Sequence, residues 1–201
     1  MDIIFSTRNR SKAEQVQKIF SDSGFCIRTL TEAGIAGSVV EDGTTLEENA
    51  FLKARFAYVG AGSKVWTIAD DTGLFINALC GEPGIYAARW AGEHSSTEET
   101  MRHCLRRMEG ISDRSAVFRT AAVLIEPDGD SRVFIGEVAG RLLEAPRVSP
   151  QPDMPYSALF VPNGQELSWA EMTTEQENTL SHRGQAFRKA LLHLTECFAL
   201  V

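Results

Sequence analysis

The chain has 201 residues, of which 43% are hydrophobic and 23% are charged, and its formal net charge at pH 7 is −7. This composition is typical of a soluble globular protein, so we predict one domain over residues 1–201. The acidic balance argues against a nucleic-acid or membrane-surface binder, and no apolar run is long enough to span a bilayer.

The N-terminus and the cysteines indicate the compartment. Met1–Phe5 lacks the basic start and the long apolar core of a signal peptide, so we predict a buried strand there. The four cysteines, Cys26, Cys80, Cys104 and Cys197, are widely spaced and form no CxxC pair. Their spacing therefore predicts neither a zinc site nor a redox motif. We expect a cytoplasmic protein whose reduced thiols lie in the core.

The first predicted strand, Asp2–Ser6, leads through a polar loop beginning at Thr7 into a predicted helix. Ser11 and Glu14 have the spacing of a capping box at the start of this helix. A strand, loop and helix in this order can present free backbone N–H groups to an anion, with Lys12 adding a positive charge. The loop has no P-loop pattern, so an ordinary capped helix explains the segment better when it is taken alone.

A second strand is predicted over Phe25–Leu30, and a second helix runs from Thr45 to Tyr58. Thr45 and Glu48 form another capping-box pattern. Asn49 and Lys53 are four residues apart and share a helix face. A lysine in such a pattern usually lies in solvent, and a phosphate-facing lysine is the alternative.

Two adjacent carboxylates, Asp70 and Asp71, lie between the apolar runs 65–69 and 74–76. We expect Gly73 to mark a bend. Successive side chains of a strand point to opposite faces, so the two carboxylates cannot reach the same atom unless the strand has ended. Unpaired buried anions are costly, which predicts a cation nearby. The alternative is an Asp-rich turn between two strands.

The pattern of the second half of the chain predicts a helix, a hairpin and a last helix. A helix starts at Ser95 or Ser96, and a proline-rich loop lies between the hairpin and the last strand. The predicted elements are a hairpin of Ala116–Ile125 and Arg132–Gly140, a loop at Ala145–Pro155, a strand at Ala158–Pro162 and a helix at Ser181–Phe198. With the first half, this predicts an α/β fold with a mixed sheet.

Five separate stretches together resemble the inosine triphosphate pyrophosphatase family, in family order and at family-like spacing. They are Thr7-Arg8-Asn9-Arg10-Ser11-Lys12, Glu48-Asn49-Ala50 with Lys53, Ala69-Asp70-Asp71-Thr72-Gly73-Leu74, Pro83-Gly84-Ile85-Tyr86-Ala87-Ala88-Arg89 and Ser181-His182-Arg183-Gly184-Gln185-Ala186. Each motif is weak alone, but five in order over nearly the whole chain are highly specific.

The resemblance implies an α/β fold with a long twisted mixed sheet flanked by helices, two lobes with a central cleft, and a homodimer. It implies Mg²⁺-dependent hydrolysis of a nucleoside triphosphate such as ITP, dITP or XTP to the monophosphate and pyrophosphate. By position, Asp71 would be the general base and, with Glu41, a metal ligand, and Lys53 would act in catalysis. The implied substrate-binding residues are Thr7, Asn9, Lys12, Lys53, Thr72, Tyr156, Ser157, Glu177, His182 and Arg183.

The sequence departs from the family in the region that would bind the base. The family's Phe-Gly-Tyr-Asp-Pro is Met154-Pro155-Tyr156-Ser157-Ala158 here, and a family lysine is Glu177. Glu177 can be explained as part of a capping box starting at Thr174, or as an acceptor that replaces a donor in the base pocket. In the first loop a family glycine is Arg8, which would need a different backbone or would add a cation near the phosphates.

We therefore expect retained hydrolysis with altered base specificity. A catalytically weak nucleotide-binding or regulatory protein on the same fold is the alternative. A phosphohydrolase for a nucleotide-like substrate without a purine is a third hypothesis.

Overall fold

One mixed sheet of seven strands organises the fold in the computed structural model, which describes residues 1–199. The strands are β1 (Asp2–Phe5), β2 (Cys26–Thr29), β3 (Thr67–Ile76), β4 (Pro83–Gly84), β5 (Ser115–Ile125), β6 (Ser131–Leu142) and β7 (Phe160–Pro162). Their order is β2-β1-β3-β5-β6-β7, and β4 pairs with β3. β1 is parallel to β2 and β3, whereas the other pairs are antiparallel. The predicted mixed sheet and its hairpin are confirmed.

Five α-helices flank the sheet in the described part of the chain. They are α1 (Arg10–Phe20), α2 (Leu46–Gly60), α3 (Thr97–Arg107), α4 (Thr174–Leu180) and α5 (His182–Ala199). None of the helices within residues 1–199 combines the length and the apolar character that crossing a membrane requires.

The strand alternation of β3 and β5 gives the sheet two buried faces. Ala69, Ala121 and Val123 pack under α2, whereas Ile68 and Leu124 point to the other face. That other face is covered by α1 and α5, whose apolar residues include Val16, Phe20, Ala186 and Phe187. The two adjacent aspartates of β3 therefore point toward different helices.

β3 runs without interruption through Gly73, so the predicted bend and the alternative Asp-rich turn are both wrong. All ten residues from Thr67 to Ile76 pair in register with β5. A Cβ at Gly73 would lie 2.8 Å from the Phe75 ring and 2.9 Å from the carbonyl oxygen of Gly84. The glycine thus allows the close approach of β4 rather than a change of direction.

The helix starts are only partly as predicted. The N-cap of α1 is Asn9 and not Ser11, since the Asn9 side chain accepts a hydrogen bond from the amide of Lys12. Thr45 is confirmed as the N-cap of α2, but the Glu48 carboxylate accepts from the amide of Thr44. Asn is a strong N-cap because its side-chain oxygen replaces a missing backbone acceptor, and sequence spacing alone did not separate it from Ser11.

The cysteines lie differently from the prediction of core thiols. Cys104 is buried, Cys197 is half-buried, and Cys26 and Cys80 are exposed. Cys80 follows the short turn at residues 77–79 and has a left-handed backbone conformation. All four are free thiols.

Candidate active site

Asp70 is buried on the face of β3 that meets α1 and α5. Its carboxylate accepts hydrogen bonds from Lys12 Nζ at 3.4 Å, from Arg183 Nε at 3.2 Å and from Thr72 Oγ1 at 3.3 Å. Burial alone would raise the pKa of Asp70, but the charges of Lys12, Arg183 and Lys53 outweigh it and hold this pKa well below its ordinary value. Asp70 is therefore a carboxylate that fixes two cations.

Asp71 points to the opposite face, toward α2. Lys53 Nζ lies 2.7 Å from Asp71 Oδ1 and 2.7 Å from Glu41 Oε2, and Asn49 Nδ2 lies 3.4 Å from Asp71 Oδ2. One ammonium group thus joins two carboxylates that are 30 residues apart in the sequence. The cation that we predicted beside the aspartates is present on both faces of the strand.

The burial of this group changes its protonation equilibria. Burial raises the pKa of Asp71, and the nearby Lys53 ammonium opposes that effect. Burial lowers the pKa of Lys53, but the charges of Asp71, Glu41 and Asp70 outweigh it, so that this pKa is raised overall. A carboxylate with a raised pKa is better suited to accept a proton near neutral pH than an exposed one.

The first loop brings a helix N-terminus to the same groove. The Asn9 side chain caps α1, and the backbone N–H of Asn9 donates to Thr7 Oγ1 at 3.1 Å. Burial lowers the pKa of Lys12. The groove is lined by Thr7, Asn9, Lys12, Glu41, Lys53, Asp70 and Asp71 together with neighbouring residues. Its backbone donors and lysines suit an anion such as a polyphosphate.

Arg8 extends from the same loop in an ordinary backbone conformation, because it is not among the non-glycine residues with positive φ. Its guanidinium donates to the carbonyl oxygen of Ile35 at 3.1 Å. Arg8 lines the groove at α1, whereas Glu177 lines a different cavity. Arg8 is thus not a spatial substitute for a lysine at position 177.

The groove continues into a cavity, since Lys12, Asp71 and Asp153 line both. The cavity has an aromatic and apolar wall, formed by Phe118, Met154, Pro155, Tyr156 and Trp169. Thr72, Glu177, His182 and Arg183 supply its polar groups. A planar, largely apolar group with polar edges fits such a lining.

His182 is fixed within this cavity by stacking and hydrogen bonding. Its ring lies 4.8 Å from the ring of Phe118 at an interplanar angle of 18°, and its Nδ1 lies 2.6 Å from Thr120 Oγ1. Thr120 also contacts its cross-strand partner Thr72 at 2.7 Å. Burial, followed by the charge of Arg183, lowers the pKa of His182 well below its ordinary value, so the ring is neutral at pH 7.

The hydroxyl groups of Tyr156 and Ser157 are used by the protein itself. Tyr156 donates to the carbonyl oxygen of Ala87 at 2.7 Å, and Ser157 Oγ donates to the carbonyl oxygen of Met154 at 2.7 Å. Ser157 Oγ also accepts from the amide of Gln151. Both residues line the cavity, and these contacts hold the loop that replaces the family's glycine-rich segment.

Glu177 is buried at the cavity and does not belong to a capping box. The N-cap of α4 is Thr173, which forms its box with Gln176, one residue earlier than we predicted. The Glu177 carboxylate instead accepts a hydrogen bond from Gln151 Nε2 at 3.0 Å, and its burial raises its pKa. Of the two explanations for Glu177, only the acceptor in the cavity agrees with the structure.

Sequence reasoning missed several residues of this region. They are Gln15, which binds Arg183 Nη1 at 2.7 Å, and Thr120, Phe118, Gln151 and Trp169. Their patterns match ordinary strand, loop and core positions, so nothing in the sequence marked them. Asp70 was noticed but was not included in the site, although its pairing with Lys12 and Arg183 fixes two groups of the cavity wall.

Comparisons with known proteins show to which family the chain belongs. The Ham1 family model matches residues 3–193. A dITP/XTP pyrophosphatase of Deinococcus radiodurans is 39% identical over 189 residues, covering 94% of this chain and 90% of that protein. One of Thermoanaerobacter pseudethanolicus is 36% identical over 191 residues, covering 94% of each.

Solved structures are similar over almost the full chain. A Ham1 protein from Coxiella burnetii has a TM-score of 0.84 at 31% identity and covers 98% of this chain and 99% of that one. The Staphylococcus aureus Ham1 protein has a TM-score of 0.81 at 31% identity, with the same coverage. The α/β architecture, the family motifs and these similarities lead to one conclusion: the chain belongs to the Ham1 family.

Proposed function

We propose that this protein is a Mg²⁺-dependent nucleoside triphosphate pyrophosphatase that releases a nucleoside monophosphate and pyrophosphate. The observation that carries the proposal is the convergence of Glu41 and Asp71 on Lys53, at a groove that continues into an aromatic cavity. The groove suits a triphosphate and the cavity suits a base. Relatives named dITP/XTP pyrophosphatase support the same reaction.

The donor set fits Mg²⁺. Glu41 and Asp71 offer carboxylate oxygens that already face one cationic group, and Mg²⁺ is bound by a few carboxylates together with phosphate oxygens. These two residues would hold the ion. When bound, Mg²⁺ supplies Lewis-acid chemistry that offsets the phosphate charge.

In this proposal Asp71 accepts a proton from the water that attacks the α-phosphorus. The bond from the α-phosphorus to the bridging oxygen breaks, and pyrophosphate leaves with the electron pair. Lys53 shifts from the carboxylates to the phosphates, and Lys12 contacts them from α1, so both ammonium groups offset the growing negative charge. Thr7, Asn9 and Thr72 donate hydrogen bonds to the phosphates, and His182 and Arg183 hold the nucleotide from α5.

We propose further that Glu177 changes the base preference toward bases that present N–H donors at their edge. A buried carboxylate accepts hydrogen bonds, whereas the lysine of the family donates them. Gln151 Oε1 supports this idea, since it is a buried acceptor beside Glu177 and has no partner among the described residues. A site that leaves polar groups unpaired with the wrong base discriminates strongly.

The activity is tested by pyrophosphate release with Mg²⁺ over ITP, XTP, dITP, dUTP, the standard nucleotides and modified pyrimidine triphosphates. We expect turnover of at least one of these substrates, and Asp71→Asn should reduce it at least about 100-fold because the general base is lost. Asp128→Asn, at the exposed turn between β5 and β6, is the matched control. Nucleotide binding without turnover across the panel would favour the regulatory alternative.

The base preference is tested by Glu177→Lys, which restores the family residue. We expect the ratio of kcat/KM for XTP or dITP to that of the best substrate to rise by about 10-fold or more. Glu175→Lys, exposed on the same helix, is the control for added charge. An unchanged ratio would refute the role of Glu177 in base selection.

The resemblance to a family of homodimers also supports a homodimer here. Sedimentation velocity over a range of protein concentrations measures the mass of the assembly. We expect the mass of two chains, and a mass of 22.1 kDa at every concentration would contradict the proposal.

A further inference from the structure

Three side chains with metal-ligating atoms meet at the C-terminal part of α5. His193 and Cys197 are one helical turn apart on α5, and Glu126 follows the last residue of β5. His193 is eleven positions along α5 from His182, which corresponds to about 16 Å of helix. This group therefore lies well away from the candidate active site.

Their donor atoms converge on one region. His193 Nε2 lies 3.1 Å from Glu126 Oε1 and 3.4 Å from Cys197 Sγ, and all three atoms lie within 4.8 Å of one another. All three side chains are half-buried. The ring of Phe134 packs against the imidazole of His193 and limits its rotation.

Hydrogen bonding serves only one of the two contacts of His193 Nε2 at a time. The same nitrogen of His193 faces both partners, so its N–H can donate to Glu126 only if it offers no lone pair to the Cys197 thiol. A nucleophile relay would need the two ring nitrogens to contact different partners, which excludes a catalytic triad. A shared cation satisfies all three donor atoms at once.

We propose that Glu126, His193 and Cys197 form a binding site for a zinc-class divalent ion. Tetrahedral coordination with the usual bond lengths requires about 3.4 Å between the nitrogen and oxygen ligands and about 3.5 Å between nitrogen and sulfur. The observed distances of 3.1 Å and 3.4 Å are close to these values. Three protein ligands leave the fourth position for water.

The donor types select the metal. A thiolate, an imidazole and a carboxylate suit Zn²⁺ or Co²⁺, whereas Mg²⁺ prefers oxygen ligands only. Binding displaces the thiol proton of Cys197 and uses the neutral imidazole, so the bound ion and its two anionic ligands sum to zero charge. Arg132 Nε lies 3.0 Å from Glu126 Oε1, and its side chain is 56% exposed, so it can move away when the ion binds.

A metal ion bound at this site would cross-link two parts of the fold. It joins the last turns of α5 to the end of β5 and to the β5–β6 turn, segments that are 67 residues apart in sequence between Glu126 and His193. A ligand that binds only the folded state stabilises it by mass action. We therefore expect Zn²⁺ to raise the melting temperature without being required for hydrolysis.

Titration of the full-length protein with Co²⁺ tests the site directly. A cysteine ligand gives Co²⁺ a thiolate charge-transfer band in the near ultraviolet, which an oxygen-only site at Asp71 and Glu41 does not produce. We expect this band to saturate at one ion per chain and to disappear when Zn²⁺ is added. Cys197→Ser and His193→Gln should abolish the band and the Zn²⁺-dependent rise in melting temperature.

The exposed thiols provide the matched controls. Cys26→Ser and Cys80→Ser should keep both the band and the thermal shift, because neither residue lies in the cluster. Circular dichroism of the metal-free variants shows whether they fold. A band that persists in folded Cys197→Ser, that is lost in Cys26→Ser or Cys80→Ser, or that never forms in the unmodified protein would overturn the proposal.

Discussion

The Lys53 ammonium lies between the carboxylates of Glu41 and Asp71, and its Nζ is 2.7 Å from one oxygen of each. In the nucleotide-free protein the Lys53 ammonium therefore occupies the position that the divalent cation of the proposed function would need. In the proposed function, Lys53 and Mg²⁺ would therefore compete for the same two carboxylates. A single substitution of Lys53 tests this competition.

We predict that Lys53→Met makes the protein more responsive to Mg²⁺ without nucleotide. The two carboxylates then repel each other, so Mg²⁺ should raise the melting temperature of the variant more than that of the unmodified protein. Pyrophosphate release should fall by about 10²–10³-fold because one charged donor to the phosphates is lost. Differential scanning calorimetry with and without Mg²⁺ measures the first effect.

Lys18→Met, at an exposed position of α1, controls for the loss of a surface lysine. Equal Mg²⁺ shifts in Lys53→Met and in the unmodified protein would contradict the competition between Lys53 and Mg²⁺ for Glu41 and Asp71.

Glu177 is a second residue whose burial has a measurable consequence. Burial raises its folded-state pKa above its ordinary value of 4.5, so the folded protein favours the protonated form more than the unfolded chain does. The contribution of this group to stability is full below pH 4.5 and is lost as the pH rises through the folded-state pKa.

We therefore predict that Glu177→Gln raises the melting temperature at pH 8 relative to the unmodified protein, and that the gain shrinks toward pH 4. The amide keeps an oxygen that can accept from Gln151 Nε2. Thermal melts over that pH range, with Glu175→Gln as the exposed control on α4, measure the difference. A gain that grows as the pH falls would contradict the raised pKa.

At the scale of the elements, the packing of α5 against β6 determines where His182 and Arg183 lie. A Cβ added at Gly136 would collide with the carbonyl oxygen of His182 and approach the amide of Ala186 to 2.8 Å. These are backbone atoms, which cannot rotate away as a side chain can. The glycine of β6 thus allows the first turn of α5 to pack directly on the sheet.

We predict that Gly136→Ala destabilises the protein by about 3 kcal/mol or more, because the helix start must move. This corresponds to a fall in melting temperature of about 6–12 °C for a chain of this size. Gly24→Ala is the control: its φ is +79° and its Cβ meets no atom within 4 Å, so only backbone strain of about 1–2 kcal/mol is expected.

In Gly136→Ala, hydrolysis should fall by more than the loss of folded protein accounts for. The shift of α5 would move the Arg183 guanidinium away from the Asp70 carboxylate. Equal melting temperatures for Gly136→Ala and Gly24→Ala would refute the role of Gly136 in the packing of α5 on β6.

At the scale of the whole molecule, buried ionisable groups control acid stability. The folded protein holds His182 neutral, whereas the unfolded chain protonates it below its ordinary pKa of 6.5. Asp70 causes a second loss of stability at lower pH. The folded state lowers the pKa of Asp70, so the stability that this carboxylate contributes is lost as the pH falls below 3.8, the ordinary pKa of the group.

We predict that stability starts to fall near pH 6.5, by up to about 1.4 kcal/mol per pH unit from His182. In His182→Gln this first loss should be smaller, because only His103, whose pKa burial also lowers, still contributes to it, whereas His94→Gln, at an exposed position, should behave as the unmodified protein. Urea unfolding at pH 7, 6 and 5 measures the slopes. A parallel decline in all three proteins would assign the loss to other groups.

The sequence by itself determined the α/β class, the family and the order of the longer elements, but not the short strand β4 or the helix α4. The alternation of β3 required Asp70 and Asp71 to diverge, and polar patterns located the start of α2 at Thr45 and that of α3 at Ser95 or Ser96, of which the structure selects Ser96. These features are local, because periodicity and capping depend on residues within a few positions of each other. The roles that the family implies for individual site residues stay predictions.

Only the tertiary structure decided which distant side chains meet. Arg183 binds Asp70 across 113 positions, Gln151 rather than a backbone amide binds Glu177, and Gly73 makes room for β4 instead of bending the strand. Cysteine spacing predicted no zinc site, yet the fold brings Cys197 beside a histidine and a glutamate. Sequence patterns specify the face on which a residue lies, whereas the partner on that face depends on strand register and helix packing, which are set by the whole chain.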